Sequence, residues 1–260
     1  WTSVEGPISN PIKSPSILTC ATSTGSPSRD VEAIWSLGRT ILFLVSGIGG
    51  ITGSGIMPVI LEVAKKLKIF TISIVARPFY LEGFETLKIA NVGIKKIEKI
   101  TDSLIIIPNE KLYNHIDKKV PLEMAYNKVN EIIKEGIESI VNILTEVGFM
   151  NIDLLDIKAV LHNSKDTIIR VGEGKGDSAA DKIMEQLMEN NLFEGKLENA
   201  KKVLINFTAA KNVSLVDIGK ITERISDIIK DKNVNLIWGV IFNEGYEAIR
   251  KIKTVVISSV

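Results

Sequence analysis

The sequence of 260 residues is long enough to bury a large hydrophobic core and to form one or two domains. Its hydrophobic content of 45% and its net charge of +1 are typical of a globular protein, and so balanced a charge argues against a nucleic-acid partner. The single cysteine excludes a disulfide framework and fits a reducing compartment, and no secretory signal is visible.

Residues 1–40 differ in composition from everything that follows them. They hold four of the eight prolines and two of the three tryptophans, and no helix or strand period persists through them. We therefore predict an irregular N-terminal arm.

A glycine-rich stretch follows an apolar strand predicted at 41–45 and leads into a helix predicted at 58–67. Between Ser46 and Pro58 it contains five glycines, three hydroxyl residues and no charge. Glycines let a ligand approach the main chain, whose N–H groups can bind a phosphate together with the positive end of the following helix. The stretch has no lysine and lacks the last glycine of G-x-G-x-x-G, so it matches neither common nucleotide loop. A plain strand-to-helix turn, or a membrane span over the uncharged residues 40–61, is the alternative.

The next segments continue the alternation of apolar strands and amphipathic helices. A strand is predicted at 69–76, a loop at 77–83, a helix at 84–99 and a strand at 103–108. Near-continuous apolar strands of this kind indicate a parallel sheet that is covered on both faces and binds ligands beyond the carboxyl ends of its strands. The sequence therefore predicts an α/β domain over residues 41–121.

A long helical pattern at 122–147 leads into a second domain, which we place at 148–260. Its predicted strands are 166–171, 201–208, 234–242 and 250–258, and its predicted helices are 177–190 and 214–230. Two adjacent strands at the end suggest a smaller mixed sheet, and hence an α+β domain. The glycines of residues 172–176 are interpreted as a flexible turn, with Asp177 capping the next helix.

One polar cluster follows the long helix and consists of Asn151, Asp153 and Asp156. The two aspartates are three positions apart, which places them on one face of a helix, where with the amide they could hold a cation and polarise a water. The same residue types also favour a helix N-cap and its first turn, and local sequence alone favours that interpretation.

A second cluster, formed by Tyr126, Asn130 and Glu131, could stack on a purine base and accept hydrogen bonds from it. The alternative is one aromatic and two solvated polar side chains. Glu82, beside Gly83, is by default a turn residue.

In their order and spacing these segments resemble the tubulin/FtsZ family over roughly residues 41–258. The stretch at 49–55 is similar to the family's G-G-G-T-G-T-G loop, and residues 75–83 are similar to its V-T-K-P-F-x-x-E-G loop. Three further segments, at 102–112, 125–131 and 150–156, are similar to D-S-L-I-x-I-P-N-D-K-L, A-F-x-x-A-N-D and M-N-x-D-F-x-D.

The resemblance implies a self-assembling, cytoplasmic GTPase at the cell-division site, with GTP or GDP as its nucleotide and Mg²⁺ beside it. Its implied partners are other copies in a head-to-tail filament and other cell-division proteins, with no nucleic acid and no direct membrane insertion. The residues implied to hold the nucleotide are Gly49, Gly50, Ile51, Thr52, Gly53, Ser54, Gly55, Glu82, Tyr126, Asn130 and Glu131. Asn151, Asp153 and Asp156 are implied to complete the site of the neighbouring subunit and to orient water and cation.

Four departures from the family pattern accompany this resemblance. The family's first strand and first glycine loop have no match in residues 1–40, so the nucleotide-binding domain is expected to be incomplete at its N-terminus. Ile51 replaces a glycine, Thr86 stands where a basic residue is expected, and Glu131 is one methylene longer than the usual aspartate. An alternative function is therefore a non-enzymatic assembly protein that binds nucleotide weakly or not at all.

Overall fold

The computed structural model describes residues 17–22, 41–50, 52–111, 148–164, 166–189 and 195–260, together with positions 124, 127, 134, 137, 138, 140–143 and 146. The chain divides into two compact units, Trp1–Ile137 and Glu138–Val260.

The first unit contains a sheet of four parallel strands in the order β1-β2-β3-β4, which confirms the predicted parallel α/β fold. The strands are β1 (Ile17–Thr22), β2 (Ile41–Gly47), β3 (Phe70–Arg77) and β4 (Ser103–Pro108), and the helices are α1 (Met57–Lys66) and α2 (Phe84–Glu98). The carboxyl ends of the strands therefore share one edge. The glycine-rich stretch between Ser46 and Pro58, called the glycine loop below, leaves β2 at this edge.

Both helices pack on the same face of this sheet. The opposite face is also apolar, since strands of near-continuous apolar residues offer a buried surface on each side. Leu61 of α1 and Ile97 of α2 are fully buried in one cluster with strand residues that include Leu44, Val75 and Leu104. Alternate strand residues, such as Ile72 and Ile105, belong to the opposite face and are equally buried.

The prediction of an irregular arm over residues 1–40 is wrong for residues 17–22. These residues form β1, which pairs in parallel with β2 from Ile17 opposite Ile41 to Thr22 opposite Ser46. Strand formation depends strongly on a neighbouring strand that supplies hydrogen bonds, and a six-residue segment among prolines and serines shows no such partner in local sequence.

The second unit contains a mixed sheet in the order β5-β8-β6-β7, as predicted for an α+β domain. Its strands are β5 (Thr167–Lys175), β6 (Lys202–Ala209), β7 (Asn235–Phe242) and β8 (Lys251–Ser259), and its helices are α3 (Leu154–Leu161), α4 (Ala179–Glu189) and α5 (Leu215–Ile228). β8 lies between β5 and β6 and is antiparallel to both, whereas β6 and β7 are parallel. A single cluster, with Phe207, Ile183 and Ile221 fully buried, joins the sheet to α4 and α5.

The interpretation of residues 172–176 as a flexible turn is wrong for most of its length. β5 continues to Lys175, paired with β8. A Cβ atom on Gly172 would lie 2.8 Å from the carbonyl oxygen of Ile183, and one on Gly174 would lie 2.3 Å from that of Ala179. These glycines therefore let α4 pack closely on the strand. Asp177, expected as a helix cap, pairs with Arg250 at 2.8 Å.

Most of the predicted central helix at 122–147 lies outside the described residues. The described positions 124, 127, 134, 137, 138 and 140–143 are helical. The length of this helix and the domain limits drawn around it stay predictions. The uncharged residues 40–61, considered as a membrane span, contain β2, the glycine loop and the start of α1, and in the described part of the chain no helix is long and apolar enough to cross a bilayer.

A Ser214→Ala substitution is expected to lower the free energy of unfolding by about 1 kcal/mol at neutral pH, measured by urea denaturation. Ser214 caps α5: its Oγ accepts a hydrogen bond from the Asp217 N–H and donates one to the Asp217 carboxylate at 2.8 Å. The Ser214 hydroxyl is also the main cause that holds the pKa of Asp217 below its ordinary value.

The hydrogen bond from the Ser214 hydroxyl to the Asp217 carboxylate makes a pH-dependent contribution to the free energy of unfolding. A depressed carboxyl pKa stabilises the fold above the unfolded pKa, and that stabilisation disappears as the pH falls through the folded pKa. The difference in unfolding free energy between parent and variant should therefore shrink as the pH falls below about 4, the ordinary value for an aspartate carboxyl. Ser178→Ala, which removes an exposed hydroxyl from the same unit, should cost little at either pH. An equal loss in both variants would contradict the cap.

Candidate functional site

The glycine loop begins at the carboxyl end of β2 and is held by two hydrogen bonds that its main-chain N–H groups donate. The N–H of Ile48 donates to the carbonyl of Ala76 at 3.1 Å, and the N–H of Gly49 donates to Ser54 Oγ at 3.1 Å. Residues Thr52–Ile56 form a wide π-helical turn that runs directly into α1. Helical structure thus begins before the predicted position 58, because the small residues of this stretch leave room for a wide turn.

Two glycines of this loop are required by its geometry. A Cβ atom on Gly53 would lie 1.9 Å from the carbonyl oxygen of Gly47 and 2.7 Å from Ser46 Oγ, so no other residue fits without moving the backbone. Gly49 has φ +118°, and its Cβ would lie 2.7 Å from the methyl group of Thr86.

The outer side of the same loop is open. Around the Cβ positions of Gly50 and Gly55, no heavy atom of the described chain lies within 4 Å beyond the immediate neighbours and, for Gly55, the backbone of its own helical turn, and both residues are exposed. A ligand can therefore approach the main chain from this side, where the absence of side chains leaves the backbone accessible. Such a surface fits an anion such as a phosphate. Ile51 and the side chain of Thr52 lie outside the described residues.

The segment after β3 packs beside the glycine loop. Pro78 Cγ would be 3.3 Å from a Cβ on Gly49, and Thr86, which contacts the same glycine, lies in the first turn of α2. Glu82 is exposed, and its carboxylate accepts a hydrogen bond from the Phe79 N–H at 2.9 Å. Glu82 therefore stabilises its own turn, in the segment that joins β3 to α2.

Asn109 is a candidate that the sequence interpretation did not single out. It directly follows β4 at the same edge of the sheet and is only 4% exposed, yet no donor among the described residues reaches its Oδ1. A buried amide oxygen without a hydrogen bond is unfavourable unless a ligand or water supplies a donor. The P-N pair at the end of an apolar strand was the signal in the sequence, but its burial could not be known from it.

The acidic cluster lies in the second unit, at the start of α3. Asp153 is the N-cap residue: its carboxylate accepts from the Asp156 N–H at 2.9 Å, and the Asp156 carboxylate accepts from the Asp153 N–H at 3.1 Å. Asn151 Oδ1 accepts from the Gly148 N–H at 2.7 Å. The capping interpretation is thus observed, and a capping carboxylate still has lone pairs available for another donor or a cation.

The segment from Gly148 to Asp156, called the acidic loop below, is held on β7. Met150 and Val240 exchange two main-chain hydrogen bonds, of 3.1 and 3.0 Å. A Cβ on Gly148 would lie 2.5 Å from the carbonyl oxygen of Val240, and one on Gly239 would lie 2.7 Å from Ile152. The loop is therefore positioned by backbone contacts that only glycine permits at these two places.

The candidate base pocket cannot be placed, because Tyr126, Asn130 and Glu131 lie outside the described residues. Within the described ranges, no group of three or more histidine, cysteine, aspartate or glutamate side chains is arranged to hold a metal ion.

Three predicted or candidate features do lie at one edge of the first sheet. They are the glycine loop after β2, the segment with Pro78 after β3, and Asn109 after β4.

In comparisons with known proteins, each of the two compact units of the chain is matched by a separate family model. The model of the GTPase domain of the Tubulin/FtsZ family matches residues 36–117, and the model of the C-terminal domain of the FtsZ family matches residues 166–260. The cell division protein FtsZ of Rickettsia bellii is 31% identical over 216 residues, which are 83% of this chain and 47% of that protein.

Solved structures show the same similarity. An empty FtsZ dimer of M. jannaschii aligns with a TM-score of 0.74 at 28% identity, over 85% of this chain and 63% of that one. A GTPγS-bound protofilament of CetZ2 from Haloferax volcanii aligns with a TM-score of 0.69 at 14% identity, over 86% and 66%, which shows a shared fold. The chain spans about half the length of the curated relative and under two thirds of the FtsZ structure. Because the two family models together match well over half of its residues, this chain belongs to the tubulin/FtsZ family.

Proposed function

We propose that this protein binds GTP at the glycine loop, assembles head to tail with other copies of itself, and hydrolyses GTP where two copies meet, as part of cell division. The observation that carries the proposal is the open main chain at Gly50 and Gly55, at the carboxyl edge of a parallel sheet, in a chain whose family has a GTPase domain. Mg²⁺ would accompany the nucleotide phosphates.

The roles of individual residues follow from their positions. Main-chain N–H groups of the glycine loop would hold the phosphates, and Ser54 Oγ, which accepts from Gly49, keeps that loop in shape. Glu82 would lie toward the ribose, and Asn109 would offer its buried amide oxygen as an acceptor. Tyr126, Asn130 and Glu131 are proposed to contact the base.

The acidic loop would act on the nucleotide of a neighbouring copy. Its anchoring on β7 gives Asn151, Asp153 and Asp156 a fixed arrangement, which a group that orients water or cation needs. Assembly through this loop would place hydrolysis under the control of filament formation. Relatives that were solved as a dimer and as a protofilament support self-assembly of this kind.

The second candidate function is assembly without catalysis, and one position favours it. Thr86 contacts the glycine loop where the family pattern has a basic residue, and its hydroxyl donates to the Glu82 carbonyl at 3.0 Å. A charge-assisted contact to a phosphate contributes about 1.5–3 kcal/mol, so its absence alone lowers affinity by one to two orders of magnitude. We therefore expect GTP affinity weaker than micromolar by calorimetric titration. Sub-micromolar affinity would contradict this expectation.

A Thr86→Arg substitution is expected to raise GTP affinity by about tenfold or more, because it places a guanidinium beside the glycine loop. Asn91→Arg adds the same charge to an exposed position further along α2 and should leave the affinity nearly unchanged. Calorimetric titration of both variants with GTP, with phosphate release and filament pelleting in parallel, tests the proposal. A folded Thr86→Arg protein that shows no GTP binding and no GTP-dependent pelleting would favour the non-enzymatic alternative.

A further inference from the structure

The side of α1 and α2 that is turned away from the sheet carries exposed aliphatic residues. In each helix the buried side faces the sheet, with residues such as Leu61 and Ile97, so residues about half a turn away point to solvent. There Val59, Val63 and Val92 are 59%, 51% and 51% exposed, and Leu67 and Ile89 extend the row. We call this surface the α1–α2 face.

The two segments that carry this face are strongly basic. Residues 56–68 and 84–99 carry seven lysines and three glutamates, a net charge of +4, although the whole chain has a net charge of only +1. Lys66, Lys96 and Lys99 are exposed in the last turns of the two helices or just after them, and no ion pair in the described part of the chain engages any of the seven lysines. The positive charge is therefore not neutralised within this surface.

We propose that the α1–α2 face adsorbs to an anionic lipid membrane. Exposed aliphatic side chains beside lysines are the composition of surfaces that lie in the headgroup region of a bilayer, where valine and leucine enter the apolar boundary and lysines pair with anionic headgroups. Lysine is suited to this role, since its long apolar stem can lie along the membrane while its ammonium reaches the headgroups. Adsorption of this kind needs no spanning helix.

Charge and shape favour a membrane over two other occupants. A second copy docked through the same face would bring two net charges of +4 together, which is unfavourable. A peptide helix needs a groove, whereas the aliphatic residues here stand on the outward sides of two neighbouring helices. A depression lined by Glu62, Lys65, Lys66 and Ile100 lies toward the ends of the helices.

Vesicle flotation tests the proposal, because lipid-bound protein rises in a density gradient while filaments sink. The full chain, without nucleotide, is mixed with vesicles of phosphatidylcholine alone or with about one third phosphatidylglycerol. We expect flotation only with the anionic vesicles, and its loss at about 0.5 M salt. Each lysine removed should lower the vesicle affinity about fivefold, so a Lys66→Gln, Lys96→Gln, Lys99→Gln triple variant should bind roughly a hundredfold more weakly.

A matched control removes three exposed lysines of the second unit, with Lys182→Gln, Lys196→Gln and Lys220→Gln, and should float like the parent protein. A Val63→Asn, Val92→Asn double variant should lose binding while keeping every charge, and circular dichroism confirms that each variant is folded. The proposal is overturned if the parent protein does not float, if both lysine triples lose binding equally, or if both vesicle types bind equally. It is also overturned if the α1–α2 variants change the sedimentation coefficient of the lipid-free protein instead, which would assign the face to a second copy.

Discussion

A Gly53→Ala protein is expected to lose detectable GTP binding and to unfold its first unit more readily than the parent protein. The added methyl group would lie 1.9 Å from the carbonyl oxygen of Gly47, which is the last residue of a strand paired on both sides. A main-chain oxygen in a sheet cannot move aside as a flexible side chain can, so the π-helical turn itself must shift.

The size of the effect follows from this geometry. Overpacking in protein interiors costs about 1–3 kcal/mol, and a clash with fixed backbone belongs at the upper end of that range. Hydrogen exchange of peptides from β2 and β3 should report the local loss of stability, and calorimetry with GTP should report the loss of binding. Because the N–H groups of the loop would no longer converge, we expect affinity to fall by about two orders of magnitude or more.

Gly55→Ala is the matched control, two residues further along the same turn. Outside its immediate neighbours and the backbone of its own helical turn, no heavy atom of the described chain lies within 4 Å of its Cβ position, so the methyl group is accommodated. Replacing a helical glycine by alanine stabilises a helix by up to about 1 kcal/mol, so this variant should be as stable as the parent or slightly more so. Equal stability of the Gly53 and Gly55 variants would contradict the described conformation of the loop.

Much of the fold could be predicted because its strands are nearly continuous runs of apolar residues. β4 begins and ends at the predicted residues 103 and 108, since Ser103 and Pro108 enclose four buried aliphatic residues. β1 could not be predicted in the same way. Its six residues become a strand through pairing with β2, and sequence periodicity contains no information about a partner strand that lies further along the chain.

Glycine shows why the site was harder to predict than the fold. Gly53 and Gly174 both lie where a Cβ would meet a carbonyl oxygen, at 1.9 and 2.3 Å, but one belongs to a loop and the other to a strand under a helix. The sequence alone does not reveal which element covers a glycine. Asn109 illustrates the same limit, because its importance depends on burial without a hydrogen-bond donor.

Asp153→Asn is expected to lower the rate of GTP hydrolysis by assembled protein about 10²–10⁴-fold at saturating GTP, with little change in GTP affinity. The reason is that Asp153 is proposed to act on the nucleotide of the neighbouring copy, so it does not hold the nucleotide of its own. Phosphate release from pelleted filaments measures the first quantity, and calorimetry of the unassembled protein measures the second.

The free energy of unfolding distinguishes the proposed role of Asp153 in hydrolysis from its role as a helix cap. The amide oxygen of the substituted side chain would still accept a hydrogen bond from the Asp156 N–H, and asparagine caps helices as well as aspartate does, so the unfolding free energy should change little. Asp217→Asn is the matched control, because Asp217 belongs to the corresponding capping box at the start of α5. It should leave hydrolysis unchanged. Unchanged hydrolysis in the Asp153→Asn protein would leave capping as the only role of that residue.

Mixing two inactive variants tests whether the site is shared between copies. A Thr52→Arg protein, damaged in the glycine loop, still has an intact acidic loop, whereas the Asp153→Asn protein has an intact glycine loop. In a mixed filament, some interfaces join the intact glycine loop of one variant to the intact acidic loop of the other, so hydrolysis should partly return. If both variants are folded and pellet together without any recovery of phosphate release, the acidic loop does not act across the interface, because a site within a single copy cannot be restored by mixing.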